Sequence, residues 1–232
     1  MLSTPRYRHE IKYMLDRTQM VTLDRRLSAV MSYDRNARGD GTYIIRSLYF
    51  DNAGDKALKE KTLGLARREK FRLRYYNLDP SFIRLEKKSK INRLTEKQSC
   101  PITKEQCEAL LEGDLSFLAS SEHELMRELY AKSKLYGLYP KTVVDYTRKT
   151  FVCPISDTRI TLDYNIRTGL RAVDFLNPDL PTVPCDAASD APICILEVKY
   201  NAFLPGHIAA LLQTPDVRSS PFSKYEISRR YD

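Results

Sequence analysis

The sequence predicts an α+β fold, an antiparallel sheet or barrel of about eight strands with helices inserted between its hairpins. Three observations lead there. Segments of alternating apolar and polar residues recur along the chain, as strands of period two require. Helical segments interrupt them without the strand–helix–strand rhythm of a doubly wound sheet. The alternating segments also place charges together on one face.

The elements read as follows. Arg6 to Tyr13 alternates as a strand. Asp16 to Met31 repeats Met20, Leu23, Leu27, Val30 and Met31 at helical spacing, with Asp16 or Thr18 as its cap. Asp34 to Gly41 is a turn-rich loop, and Tyr43 to Phe50 a strand. Asp51 to Lys61 reads as a short helix ended by Gly64. Arg67 to Asn77 and Phe82 to Lys90 form a hairpin around Leu78-Asp79-Pro80, and Arg93 to Cys100 adds a third strand. Thr103 to Leu111 and Ser121 to Tyr136 are helices capped by Thr103 and Ser121. Thr142 to Val152, Thr158 to Asp163 and Ile193 to Tyr200 are strands, and residues 174–192, rich in Pro and Asp, are a loop. A short helix follows near His207 to Leu212. No domain boundary stands out, so residues 1–232 read as one domain.

Composition excludes several classes. Eight Gly and 12 Pro in 232 residues, with 42% hydrophobic and 29% charged residues, rule out a collagen-like or disordered chain. No apolar run reaches the roughly 20 residues of a membrane span, and Met1 to Lys12 lacks an apolar leader core. The five cysteines, Cys100, Cys107, Cys153, Cys185 and Cys194, are odd in number and lack a CxxC spacing, which reads as reduced thiols in a cytoplasmic protein. The net charge of +8 is uneven: residues 1–90 hold 21 basic and 11 acidic residues, so the basic first part implies an anionic partner.

Strand alternation sharpens this. Lys70, Arg72 and Arg74 share a face opposite Phe71, Leu73 and Tyr75, and Arg84, Glu86, Lys88 and Lys90 share one opposite Ile83, Leu85 and Lys87. Arg8, Glu10 and Lys12 form a third set, and Glu197 with Lys199, Tyr146 with Arg148, and Arg159 with Thr161 and Asp163 form others. One such strand is an ordinary solvated face. Five or six make either an open basic platform for nucleic acid or a barrel whose lumen holds a polyanion. Carboxylates among the cations favour the lumen, because they repel phosphate unless a divalent cation bridges the two. Arginine forks and lysine point charges suit a transferring phosphoryl group. Nucleic acid is therefore not the expected partner. No GxGxxG, GxxxxGK[ST] or HExxH occurs, and His9, His123 and His207 are scattered.

These segments resemble the VTC domain, the polyphosphate polymerase domain of the vacuolar transporter chaperone complex, one of the triphosphate tunnel metalloenzymes to which the CYTH enzymes also belong. The resemblance runs in order through Glu10-Ile11-Lys12, Ser47-Leu48-Tyr49-Phe50-Asp51, Arg72-Leu73-Arg74, Leu85-Glu86-Lys87-Lys88, Tyr146-Thr147-Arg148, Arg159 with Asp163, Glu197-Val198-Lys199 and Ser223-Lys224-Tyr225. It implies an eight-stranded antiparallel β-barrel, a triphosphate tunnel. It also implies phosphate ligands at Lys12, Arg72, Arg74, Lys88, Arg148, Arg159, Ser223 and Lys224, a hydrogen bond from Tyr146, and Lys199 touching phosphate or balancing Glu197. Glu197 would hold Mn²⁺ or Mg²⁺, with Glu10 and Glu86 as second candidates. A further lysine of the family has Lys97 as its nearest counterpart. The implied activity is transfer of the γ-phosphoryl of ATP or another nucleoside triphosphate to phosphate or polyphosphate. The alternatives are a tripolyphosphate or nucleoside triphosphate hydrolase and a non-catalytic polyphosphate- or anion-binding domain.

Overall fold

A computed structural model of the chain describes residues 9–92, 94–153, 155–186, 193–201, 203–214, 219 and 222–230. Arg6 to Arg8 of the first expected strand, Arg93, and residues 187–192 of the expected loop lie outside the described residues. In chain order the elements are β1 (His9–Leu15), α1 (Arg17–Ser28), β2 (Ser32–Tyr33), β3 (Thr42–Asp51), α2 (Lys56–Thr62), β4 (Arg67–Tyr76), β5 (Asp79–Ile91) and β6 (Leu94–Ile102). There follow α3 (Lys104–Leu111), α4 (Ser116–Ala119), α5 (Glu124–Tyr136), β7 (Tyr139–Val152), β8 (Arg159–Thr168), β9 (Val183–Pro184), β10 (Cys194–Tyr200), α6 (Gly206–Leu211) and α7 (Lys224–Ser228).

The α+β class, the antiparallel sheet and the eight long strands agree with expectation. The hydrogen-bonded order is β1-β10-β8-β7-β3-β4-β5-β6. Among the described residues that path runs from β1 to β6. The short β2 and β9, and the single-turn α4, have too few residues to show a period and escaped the sequence reading.

The chain forms two compact units. Unit 1 comprises residues 1–44, 146–166 and 184–223; unit 2 comprises 45–145, 167–183 and 224–232. In unit 1, β10 pairs antiparallel with β1 and β8. The apolar face of these strands packs Leu196, Val198, Ile160 and Leu162 with Leu23 and Leu27 of α1 and Ile208 of α6. The α1 stripe reaches this core because Asp16 caps the helix: its carboxylate accepts from Gln19 N at 2.7 Å, and the Gln19 side chain accepts from Asp16 N at 2.9 Å.

In unit 2, β3, β4, β5 and β6 form consecutive antiparallel pairs. Their apolar face, with Leu48, Phe71, Leu73, Tyr75, Ile83 and Leu85, packs on Cys107 and Leu110 of α3 and Met126 and Leu129 of α5. Arg46 is buried on this side, held bidentately by Asp145 at 2.9 and 2.8 Å. Lys87 also lies on the apolar side, as its position predicts, and is neutralised by Glu128 of α5 at 2.5 Å. The β4–β5 turn falls one residue earlier than expected. Asn77 and Leu78 take positive φ values of 54° and 57°, the two-residue turn that matches strand twist, and Asp79 already pairs with Tyr76. Helix α5 begins at Glu124, not at Ser121, because the Ser121 hydroxyl accepts from His123 N at 3.1 Å and caps no helical N–H.

Candidate functional site

The charged strand faces carry two clusters, one in each unit. In unit 1, β10 sets the register: Glu197 lies opposite Lys12 of β1 and Thr161 of β8. Lys12 Nζ sits 3.2 Å from Glu10 and 3.4 Å from Glu197, and Lys199 Nζ is 3.0 Å from Glu197. Arg148 of β7 grips Asp163 with two bonds of 2.6 and 2.7 Å and stands 3.8 Å from Glu197. Its guanidinium lies 5.5 Å from the centre of the buried Tyr146 ring. Burial opposes the charge on Glu197, but Lys199, Lys12 and Arg148 outweigh it and hold the carboxyl well below the usual range. Burial likewise opposes the Lys12 ammonium, and Glu197 and Glu10 outweigh it to raise its pKa. Arg159 is half exposed and paired with Asp34 at 2.6 Å. Ser223 is buried at the end of the unit.

In unit 2 the registers Tyr49↔Arg72↔Glu86 and Lys70↔Lys88↔Lys97 stack cations across β3, β4, β5 and β6. Glu86, nearly fully buried, accepts from Arg72 at 2.6 Å and Lys97 at 2.5 Å, with Arg74 at 3.7 Å. Burial alone would favour its neutral form, but Arg72, Arg74 and Lys97 keep it ionised far below the ordinary range. Lys97 therefore shares the charged face with Lys88. Arg74 Nε donates to Ser47 Oγ at 3.3 Å, and Arg72 donates to the Tyr49 hydroxyl at 3.2 Å.

Three contributors escaped the sequence reading. Tyr49 was legible as part of a motif but had no role. It is buried, with Lys70 Nζ 5.6 Å from its ring centre. Burial would raise its pKa, yet Arg72, Lys70, Arg74 and Lys224 bring it down to about 7. Asp51 accepts from the Tyr225 hydroxyl at 2.7 Å and from Ala57 N at 2.9 Å, so it ties α7, and with it Lys224, to the start of α2. Asp34 could not be assigned because its partner Arg159 is 125 positions away.

Among the described residues, no group of three or more His, Cys, Asp or Glu side chains gathers as a metal cluster. The carboxylates that converge are Glu10 and Glu197, both on Lys12 Nζ. Two hard oxygen donors suit Mg²⁺ or Mn²⁺, which complete their coordination with water and substrate phosphate.

Fold and site together define an antiparallel-sheet protein with cation-rich strand faces. The sequence profile of the VTC domain matches residues 7–231, and the chain belongs to that family. Membership supports a catalytic, phosphotransferase-type role over a purely structural one. No curated protein matches the chain. Among solved structures, a candidate adenylate cyclase from Bacillus halodurans is similar at 13% identity and a TM-score of 0.52, covering 87% of this chain and 83% of that one. A protein from Pyrococcus horikoshii OT3 matches at 12% identity and a TM-score of 0.47 over 95% and 98% of the two chains. A conserved hypothetical protein from Pyrococcus furiosus matches at 11% and 0.46 over 95% and 99%. At 13% identity the likeness to the Bacillus halodurans structure is one of fold alone. Among the described residues no helix is long and apolar enough to cross a membrane.

Proposed function

We propose that this chain acts as one VTC domain, a metal-dependent phosphotransferase of the polyphosphate polymerase type. Its donor is ATP or another nucleoside triphosphate, and its acceptor is phosphate or the end of a polyphosphate chain. The observation that carries this reading is the unit 2 face, where Lys70, Arg72, Arg74, Lys88, Lys97 and Lys224 gather around Glu86 and Tyr49. A face so rich in cations is matched by a ligand with several negative charges.

In this reading Arg72 and Arg74 present planar forks to phosphate oxygens, while Lys88 and Lys224 act as point charges along the chain. In unit 1, Lys12, Lys199, Arg148 and Arg159 are the assigned phosphate contacts, with Tyr146 and Ser223 as hydroxyl donors. Glu197 and Glu10 are the carboxylates assigned to the metal; Glu86, shared among three cations, is the weaker candidate. A bound Mn²⁺ or Mg²⁺ would supply charge neutralisation at phosphate oxygens. An acceptor oxygen attacks the γ-phosphorus, the bond to the β–γ bridging oxygen breaks, and the nucleoside diphosphate leaves.

Hydrolysis would need a base to activate water. Glu10 and Glu86 are the candidate bases, and Arg72, Arg74 and Lys97 hold Glu86 below the ordinary carboxyl range, which makes it a weak one. A cytoplasmic location follows the reading of the five widely spaced cysteines, which lack a CxxC spacing, as reduced thiols. Incubation with ATP and Mn²⁺ is the test. Long polyphosphate is the expected product; release of phosphate alone would overturn the polymerase reading. Glu197→Gln, checked for folding by circular dichroism, is expected to lower turnover about 100-fold.

A further inference from the structure

Thr161 occupies the middle of the charged face of unit 1. It lies opposite Glu197 across the β8–β10 pair, and Arg159 and Asp163, two positions away on either side, share its face of the strand. The residue is 2% exposed, and its Oγ1 has no hydrogen-bond partner among the described residues. The charged groups around it are engaged with one another: Asp163 with Arg148, and Glu197 with Lys199 and Lys12. A buried hydroxyl without a partner lowers the stability of the folded chain. Native proteins retain such a group where something else completes it.

We propose that Thr161 is a further ligand-binding residue, whose hydroxyl donates a hydrogen bond to a phosphate oxygen held beside Lys12, Lys199 and Glu197. The inference rests on the phosphotransferase reading in taking phosphate as the ligand. A neutral hydroxyl adds little to cation binding beside two carboxylates. One more donor next to two ammonium groups suits a phosphate, whose oxygens each accept several hydrogen bonds.

The test is Thr161→Val in the full chain, which keeps the branched shape and removes the oxygen. Tripolyphosphate is titrated calorimetrically in the presence of EDTA. The Kd is expected to rise about tenfold, the loss of a hydrogen bond to a charged group. The thermal midpoint of the ligand-free variant is expected to stay level or rise, because a buried unpaired oxygen has gone. Thr161→Ser is expected to bind like the unmodified chain, and Mn²⁺ alone, followed by electron paramagnetic resonance, to bind Thr161→Val and the unmodified chain equally. An unchanged tripolyphosphate Kd overturns the inference. So does a loss confined to Mn²⁺, and so does a lowered midpoint with intact binding, which would make the hydroxyl a structural group completed by water. An unmodified chain that takes up no tripolyphosphate overturns the phosphotransferase reading itself, a result distinct from a variant that binds normally.

Discussion

Unit 1 and unit 2 solve the problem of charges on a sheet in opposite ways. In unit 1 the cations Lys12, Arg148, Arg159 and Lys199 each meet a carboxylate, drawn from Glu10, Asp34, Asp163 and Glu197. In unit 2, taken by itself, Glu86 is shared by Arg72, Arg74 and Lys97, while Lys70 and Lys224 raise the positive potential at Tyr49. A balanced set holds itself together and can hand a carboxylate to a metal. A cation-rich set repels itself and gains when an anion arrives. The same alternation of strand residues therefore yields one region where each of these cations meets a carboxylate and one where Glu86 is shared by three.

Three substitutions would break or sharpen this contrast. The largest effect is expected at Asp163, almost fully buried and gripped bidentately by Arg148. Asp163→Asn leaves the guanidinium with a neutral partner and is expected to cost about 3 kcal/mol of stability by denaturant unfolding. Next comes Lys88→Met in unit 2, which removes one cation from a crowded face. It is expected to weaken tripolyphosphate binding about tenfold. Unchanged binding would mean that this face does not take the anion.

The smallest and most local effect concerns Tyr49. Its folded pKa, about 7, is depressed below the free phenol value. Its ionised form is therefore favoured by folding. That contribution is complete above the unfolded pKa, near 10, and fades as pH falls through the folded value. Absorbance near 295 nm should show one phenol titrating around neutral pH, absent in Tyr49→Phe and shifted upward by tripolyphosphate. A titration confined to pH above 9 would mean that the unit 2 cations do not set the potential at this ring.

Acid should act on both units in the same direction. Glu197 and Glu86 have depressed folded values, so their stabilisation is present above the ordinary carboxyl range, near 4.3, and is lost as pH falls below it.

What the sequence determined by itself is the content of each face. Period two put Phe71, Leu73 and Tyr75 on one side of β4 and Lys70, Arg72 and Arg74 on the other, and even the odd Lys87 fell where its parity required. The caps at Asp16 and Thr103 were legible for the same reason, since their partners Gln19 and Gln106 are three residues away. Tertiary structure decided which charges meet. The partnerships of Arg148 with Asp163, Arg159 with Asp34 and Tyr225 with Asp51 link distant strands and helices, and no local spacing encodes them. It also decided the order in which the strands pair, because strand pairing depends on long-range register while alternation depends only on neighbouring residues.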